Sequence, residues 1–173
     1  MTLSDPLIQA FNAQINLEFE SAYAYLGMAA WCEANELTGF AAWLRAQAQE
    51  EVDHAMKFFQ FVLDRDERIV LSDVAATPAA FDSIVDVFRA ALSHERRVTA
   101  AISDLYAKAT AEQDFASVPI LNWFTNEQIE EEATVRQIVA ELERVGDNTA
   151  ALVLLDREMT QRRADVAARG AAG

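Results

Sequence analysis

Apolar residues recur at helical spacing through most of the chain, and they sort into four long stripes and one short one. The first stripe is Leu7, Phe11, Ala22, Tyr25 and Ala29, and it predicts a helix over about 5–33. Ser4 or Asp5 can cap this helix, and Pro6 suits its first turn. Phe40, Leu44, Phe58 and Val62 predict a second helix over about 38–66. Ile84, Phe88, Ile102 and Tyr106 predict a third over about 79–110, opening near Pro78 or Asp82. Leu121, Phe124, Val135 and Val139 predict a fourth over about 114–145, with Pro119 early in it and Gly146 as its stop. Ala151, Leu152 and Leu155 predict a short fifth helix over about 149–162, capped by Asp147 or Asn148. The tail 164–173 is expected to fray.

Link lengths then fix the arrangement. The first and second helices, and the third and fourth, are joined by short links and must return antiparallel. Between the second and third lies Glu67 to Pro78, with the extended-looking Ile69, Val70 and Leu71. A 29-residue helix is about 43 Å long. Twelve extended residues reach about 40–43 Å. The segment can therefore span the bundle and start the third helix parallel to the second. The fold class is all-α: a four-helix bundle with one long crossover and a short fifth C-terminal helix, expected to form a single domain over 1–173.

Polar residues interrupt the centre of each stripe. Phe40, Leu44, Phe58 and Val62 fall within roughly 20° of Glu51 on a helical projection. His54, three residues on, shares that face. Glu18 centres the first stripe and Glu95 the third, while Gln128 and Glu131 sit in the fourth. Glu51 and His54 lie 33 and 36 residues beyond Glu18, and Gln128 and Glu131 lie at the same offsets beyond Glu95. Two such helix pairs, related by a pseudo-two-fold, would gather all six side chains at mid-bundle. The plainer alternative is a buried hydrogen-bonded network. Four carboxylates and one imidazole hold too few donors to neutralise one another, so cations are the better answer. Ligands rich in carboxylate, with little nitrogen and no sulfur, suit Fe or Mn, with Zn able to compete.

Composition narrows the setting. The chain has 173 residues, 52% apolar, with five Gly and three Pro, which favours long ordered helices over disorder. Its net charge of −14 disfavours nucleic acid as a partner and permits a field that attracts cations. No apolar run approaches the length that spans a membrane. No secretion signal is visible, and the lone Cys32 suits a reducing compartment, so the cytoplasm is expected.

The stretches Asn16-Leu17-Glu18, Ala48-Gln49-Glu50-Glu51-Val52-Asp53-His54, His94-Glu95 and Asn126-Glu127-Gln128-Ile129-Glu130-Glu131 together resemble the bacterial non-haem ferritins, over essentially the whole chain. The resemblance implies a ferritin-like bundle carrying a two-iron ferroxidase centre. Glu18, Glu51 and His54 would hold the first iron. Glu51 as a bridge, with Glu95 and Glu131, would hold the second. It also implies Gln128 beside the pair, Tyr25 as a nearby redox-active phenol, and a third iron position at Glu50, Glu127 and Glu130. By spacing alone that last trio reads equally well as a solvated acidic face, and Tyr25 as a core aromatic. The substrates implied are Fe(II) with O2 or H2O2. The product is a ferric mineral held in a hollow shell of 24 copies, with the fifth helices at its four-fold axes.

Departures sharpen the comparison. Bacterioferritins carry Glu-x-x-His in the second half as well, where this chain has Gln128 and Glu131, and their haem-binding methionine is replaced here by Val52. No haem is expected. Val118 and Leu121 align approximately with the acidic three-fold pore of animal ferritins, which puts iron entry by that route in question. The DNA-binding mini-ferritins match poorly, since the Lys-rich arm many of them carry is absent. Two other readings remain at this stage. One is a different di-metal carboxylate enzyme on the same bundle, such as a peroxidase or a manganese catalase-like protein. The other is a metal-free helical scaffold. A large closed shell that accumulates iron would separate the storage protein from both.

Overall fold

In the computed structural model, residues 2–78 and 80–170 are described, with side chains to Arg162. Among the described residues the elements are α1 (Asp5–Ala34), α2 (Thr38–Asp64), α3 (Ile84–Ala111), a 3-10 turn (Phe115–Ser117), α4 (Val118–Val145) and α5 (Thr149–Gly170). The Ser4 hydroxyl caps α1 by accepting from Leu7 N at 3.4 Å, and Pro6 lies in the first turn. Gly146 ends α4 at φ 50°, and its N–H donates to the Leu142 carbonyl at 3.1 Å. Asn148 starts α5 by accepting from Ala151 N at 3.1 Å.

Boundaries differ from the sequence reading in three places. Position 79, where the third helix was expected to begin, lies outside the described residues, and α3 begins at Ile84. Ser83 is the reason: its hydroxyl accepts from Asp86 N at 3.2 Å and donates to the Asp86 carboxylate at 2.7 Å. The fourth helix starts at Val118 because the residues before it close a 3-10 turn. The fifth helix does not stop near 162 but runs through Gly170; residues 171–173 of the expected frayed tail lie outside the described residues.

The crossover, residues 65–83, climbs alongside α1. Asn12 accepts from Val70 N at 2.7 Å and donates to the Arg68 carbonyl at 3.1 Å. One turn on, Asn16 accepts from Ser72 N at 3.0 Å and donates to the Asp73 carbonyl at 3.3 Å. Further up, a side chain at Gly27 would meet Thr77 Oγ1 at 2.4 Å, so the glycine leaves room for the strap. These contacts advance together along both segments, so the crossover runs parallel to α1 and delivers α3 parallel to α2. At the far end, Arg65 pairs with Asp114 at 2.8 Å and ties the foot of α2 to the α3–α4 link.

The core is divided. Tyr25, Phe40, Trp43, Phe88, Ile138 and Leu155 belong to one apolar cluster; Phe11, Phe58, Val98, Ile102, Leu121 and Phe124 belong to another. In each of the four long helices, the polar positions singled out above fall in the gap between the two clusters. α5 packs into the first cluster through Leu155 and Met159. Among the described residues no helix is long and apolar enough to cross a membrane.

Candidate metal centre

The layer between the two apolar clusters is polar and buried. Glu18, Glu51, His54, Glu95, Gln128 and Glu131 are all at most 4% exposed. α1 supplies Glu18, α2 supplies Glu51 and His54, α3 supplies Glu95, and α4 supplies Gln128 and Glu131. Each is carried inward by the same helical period that buries its apolar neighbours.

Glu18, Glu51 and His54 each offer a ligand atom within 4.8 Å of the others. His54 Nδ1 stands 3.7 Å from Glu51 Oε2. Its ring is held edge-on by Trp123 and Phe124, with centroids 5.5 Å away in each case. Gln14, buried on α1, donates to Glu18 Oε1 at 2.7 Å. Glu18 Oε2 is buried with no hydrogen-bond partner among the described residues. On the other side, the Tyr25 hydroxyl donates a short hydrogen bond to Glu95 Oε1. The Gln128 amide lies 3.2 Å from Glu95 Oε2 and 3.3 Å from Thr99 Oγ1.

Electrostatics follow from this crowding. Burial, reinforced by the Glu51 carboxylate, pushes Glu18 well above the usual carboxylate range. Burial, then Glu95 and Glu131, push Glu51 the same way. Burial raises Glu95 too, against the lowering hydrogen bonds from Tyr25 and Gln128. Tyr25 is raised well above 10, by burial first and Glu95 next. Ionising these carboxyls together is therefore disfavoured, and divalent cations would supply the missing positive charge. Two such ions carry the charge that four carboxylates balance. An oxygen-rich set with one imidazole fits Fe(II).

Of the outer trio, Glu50 and Glu127 come together with His54. Glu50 is buried at 4%, Glu127 is half-buried and Glu130 is exposed. The ligand atoms that approach within 4.8 Å are those of Glu50, His54 and Glu127, so His54 stands between two acidic groups. The helical projection left Glu50 on a solvated face because it considered one helix at a time. His94, next to Glu95, turns to α1 instead: its Nε2 is 2.7 Å from the Ser21 hydroxyl, which donates to the Leu17 carbonyl at 3.0 Å. Burial holds His94 down to about 4, so the ring is neutral and donates to Ser21.

A family model described as the ferritin-like domain matches residues 8–145. The chain is 38% identical over 160 residues to a bacterial non-heme ferritin of Staphylococcus epidermidis, covering 92% of this chain and 96% of that one. It is 37% identical over 163 residues to one of Staphylococcus aureus, covering 94% and 98%. Among solved structures it is similar to an open pore ferritin from the hyperthermophilic archaeon Archaeoglobus fulgidus, with a TM-score of 0.90 and 42% identity over 91% of this chain and 96% of that one. An engineered closed form of the Archaeoglobus protein matches with the same TM-score, 0.90, over 92% of this chain and 97% of that one.

Proposed function

The chain belongs to the ferritin family, and on that premise we propose that it oxidises Fe(II) to Fe(III) at the buried carboxylate and histidine layer and stores the product as ferric mineral inside a shell of its own copies. The observation that carries this reading is the buried layer itself. Four glutamates and a histidine are buried between two apolar clusters, ligand atoms of Glu18, Glu51 and His54 lie within 4.8 Å of one another, and Glu18 Oε2 has no hydrogen-bond partner among the described residues.

Glu18, Glu51 and His54 hold the first Fe(II). Glu51 bridges to the second, which Glu95 and Glu131 complete. Fixing two ions around one bridging carboxylate supplies proximity, so that one oxidant molecule meets two one-electron donors. Each Fe(II) gives one electron. The pair reduces O2 to the peroxide level, or H2O2 to water. Fe(III) then hydrolyses, releases protons and leaves for the mineral. Gln128 and Tyr25 keep Glu95 oriented. Glu50 and Glu127, with the exposed Glu130 one helical turn beyond Glu127 on α4, form an outer position for iron in transit. We take the shell to have 24 copies and to work in the cytoplasm, where Cys32, a buried free thiol, stays reduced.

The test is the rate of Fe(II) oxidation on protein first sized as the assembled shell. Glu51→Ala and Glu131→Ala should each slow the fast phase by at least about a hundredfold, the upper end for changes merely behind the ligands. Wild-type kinetics in both variants would contradict the reading.

A further inference from the structure

Gln47 is 1% exposed on α2, one helical turn before Glu50 and Glu51. Its Nε2 lies 3.1 Å from Glu131 Oε2 and 3.4 Å from Glu50 Oε2. Both neighbours are carboxylates, which accept when ionised, so the N–H end of the amide faces them, and a primary amide has two N–H groups to give. Glu131 belongs to the inner layer. Glu50 belongs to the outer group with His54 and Glu127. One side chain thus reaches a carboxylate of each.

We infer that Gln47 is a positioning residue for iron oxidation that serves both positions at once, orienting Glu131 toward the inner pair and Glu50 toward the outer group; this rests on the ferroxidase reading above. The residue type fits the task. Glutamate side chains have three rotatable bonds, and a donor in a buried site fixes them before a cation arrives. A lysine or arginine at this place would also donate, but its charge would compete with the cation. An apolar residue would leave two buried carboxylates facing it without its N–H groups. A neutral amide orients both and leaves their negative charge for the metal.

The experiment is a titration of the assembled, iron-free protein with Co(II), which binds without turning over and whose visible d–d bands report how its ligands are arranged. Against the wild-type titration, Glu51→Ala should remove the inner class of sites and Glu127→Ala the outer class. Gln47→Met, similar in length but without N–H groups, should weaken both classes by about tenfold and shift both sets of bands. The melting temperature of the iron-free protein should fall with the loss of two buried N–H donors, but a merely structural role would lower it without weakening both classes and shifting both sets of bands. If Gln47→Met does not assemble, Gln47→Leu must show the same double loss. Wild-type affinity in either class, with unshifted bands, overturns the inference. Glu51→Ala binding Co(II) like wild type would instead remove the ferroxidase centre on which the inference stands, so the two failures are distinguishable.

Discussion

The backbone N–H of Phe40 donates to the Asp156 carboxylate at 3.0 Å, so α5 caps the first turn of α2. Leu37, at the N-cap of α2, offers no side-chain hydrogen bond of its own. The two helices touch closely: a Cβ on Gly39 would lie 1.7 Å from the Asp156 carbonyl oxygen. The fifth helix is therefore part of the protomer's own core as well as a candidate for shell contacts. Asp156→Ala should cost about 1 kcal/mol through the lost cap. Gly39→Ala should cost more, because backbone blocks the new methyl and α5 must lift away. Alkylation of Cys32 is the readout. Its thiol is buried and pushed up to about 12, by burial first and Asp156 next. It should be inert in wild type and reactive in Gly39→Ala, and an inert thiol there would show that α5 stays docked.

The iron-free centre should destabilise the fold as pH rises. Glu18 and Glu51 have folded-state values raised well above 4.5. Their contribution is fully present below 4.5 and is lost as pH rises through the raised values. His94 works oppositely, losing stability as pH falls from 6.5 toward its folded value of about 4, so absolute curves mix the two. The difference between Glu51→Gln and wild type removes His94. Glu51→Gln should melt higher without metal, by a margin that widens as pH rises from 4.5, and saturating Co(II) should reverse the order. A large loss of melting temperature in metal-free Glu51→Gln would contradict this.

Tyr25 donates to Glu95 and lowers that carboxyl against the rise from burial. Tyr25→Phe should leave Glu95 harder to ionise. Metal affinity should then fall more at pH 6 than at pH 8, by about tenfold or more at the lower value, since a hydrogen bond to a charged group is worth about 1.5–3 kcal/mol. Equal affinity at both pH values, measured by Co(II) titration, would remove this role.

Trp123 stands edge-on to His54 at 5.5 Å, and the Lys57 ammonium lies 4.0 Å from its ring centroid. A paramagnetic ion at His54 should quench this indole. Co(II) should therefore dim the protein's fluorescence, and Trp123→Phe should abolish most of that change while Trp31 and Trp43 continue to emit. Equal quenching in the variant would place the ion elsewhere.

Much of this was legible in the sequence for a physical reason. Glu18, Glu51, Glu95 and Glu131 stand out because a carboxylate centred in an apolar stripe violates the rule that made the stripe. The crossover was legible from its length alone. What escaped depends on contacts between elements. Gln47 and Glu50 lie off the centre of their own stripe and are buried from the α4 side, as the Gln47–Glu131 contact shows. Asn12 and Asn16 look like surface amides until the crossover brings backbone groups to them. Asp156 reads as an ordinary acidic residue of α5, because its partner is more than a hundred positions away. The start of α3 was misplaced because Pro78 and Asp82 are plausible openers, whereas Ser83 with Asp86 makes the cap.

The most direct test is anomalous diffraction at the iron edge from crystals of the assembled protein soaked anaerobically in Fe(II). The account predicts two peaks in each subunit between the apolar clusters, one against Glu18, Glu51 and His54 and the other against Glu51, Glu95 and Glu131. A subunit interior without peaks, or peaks confined to the exposed acidic surface, would contradict it.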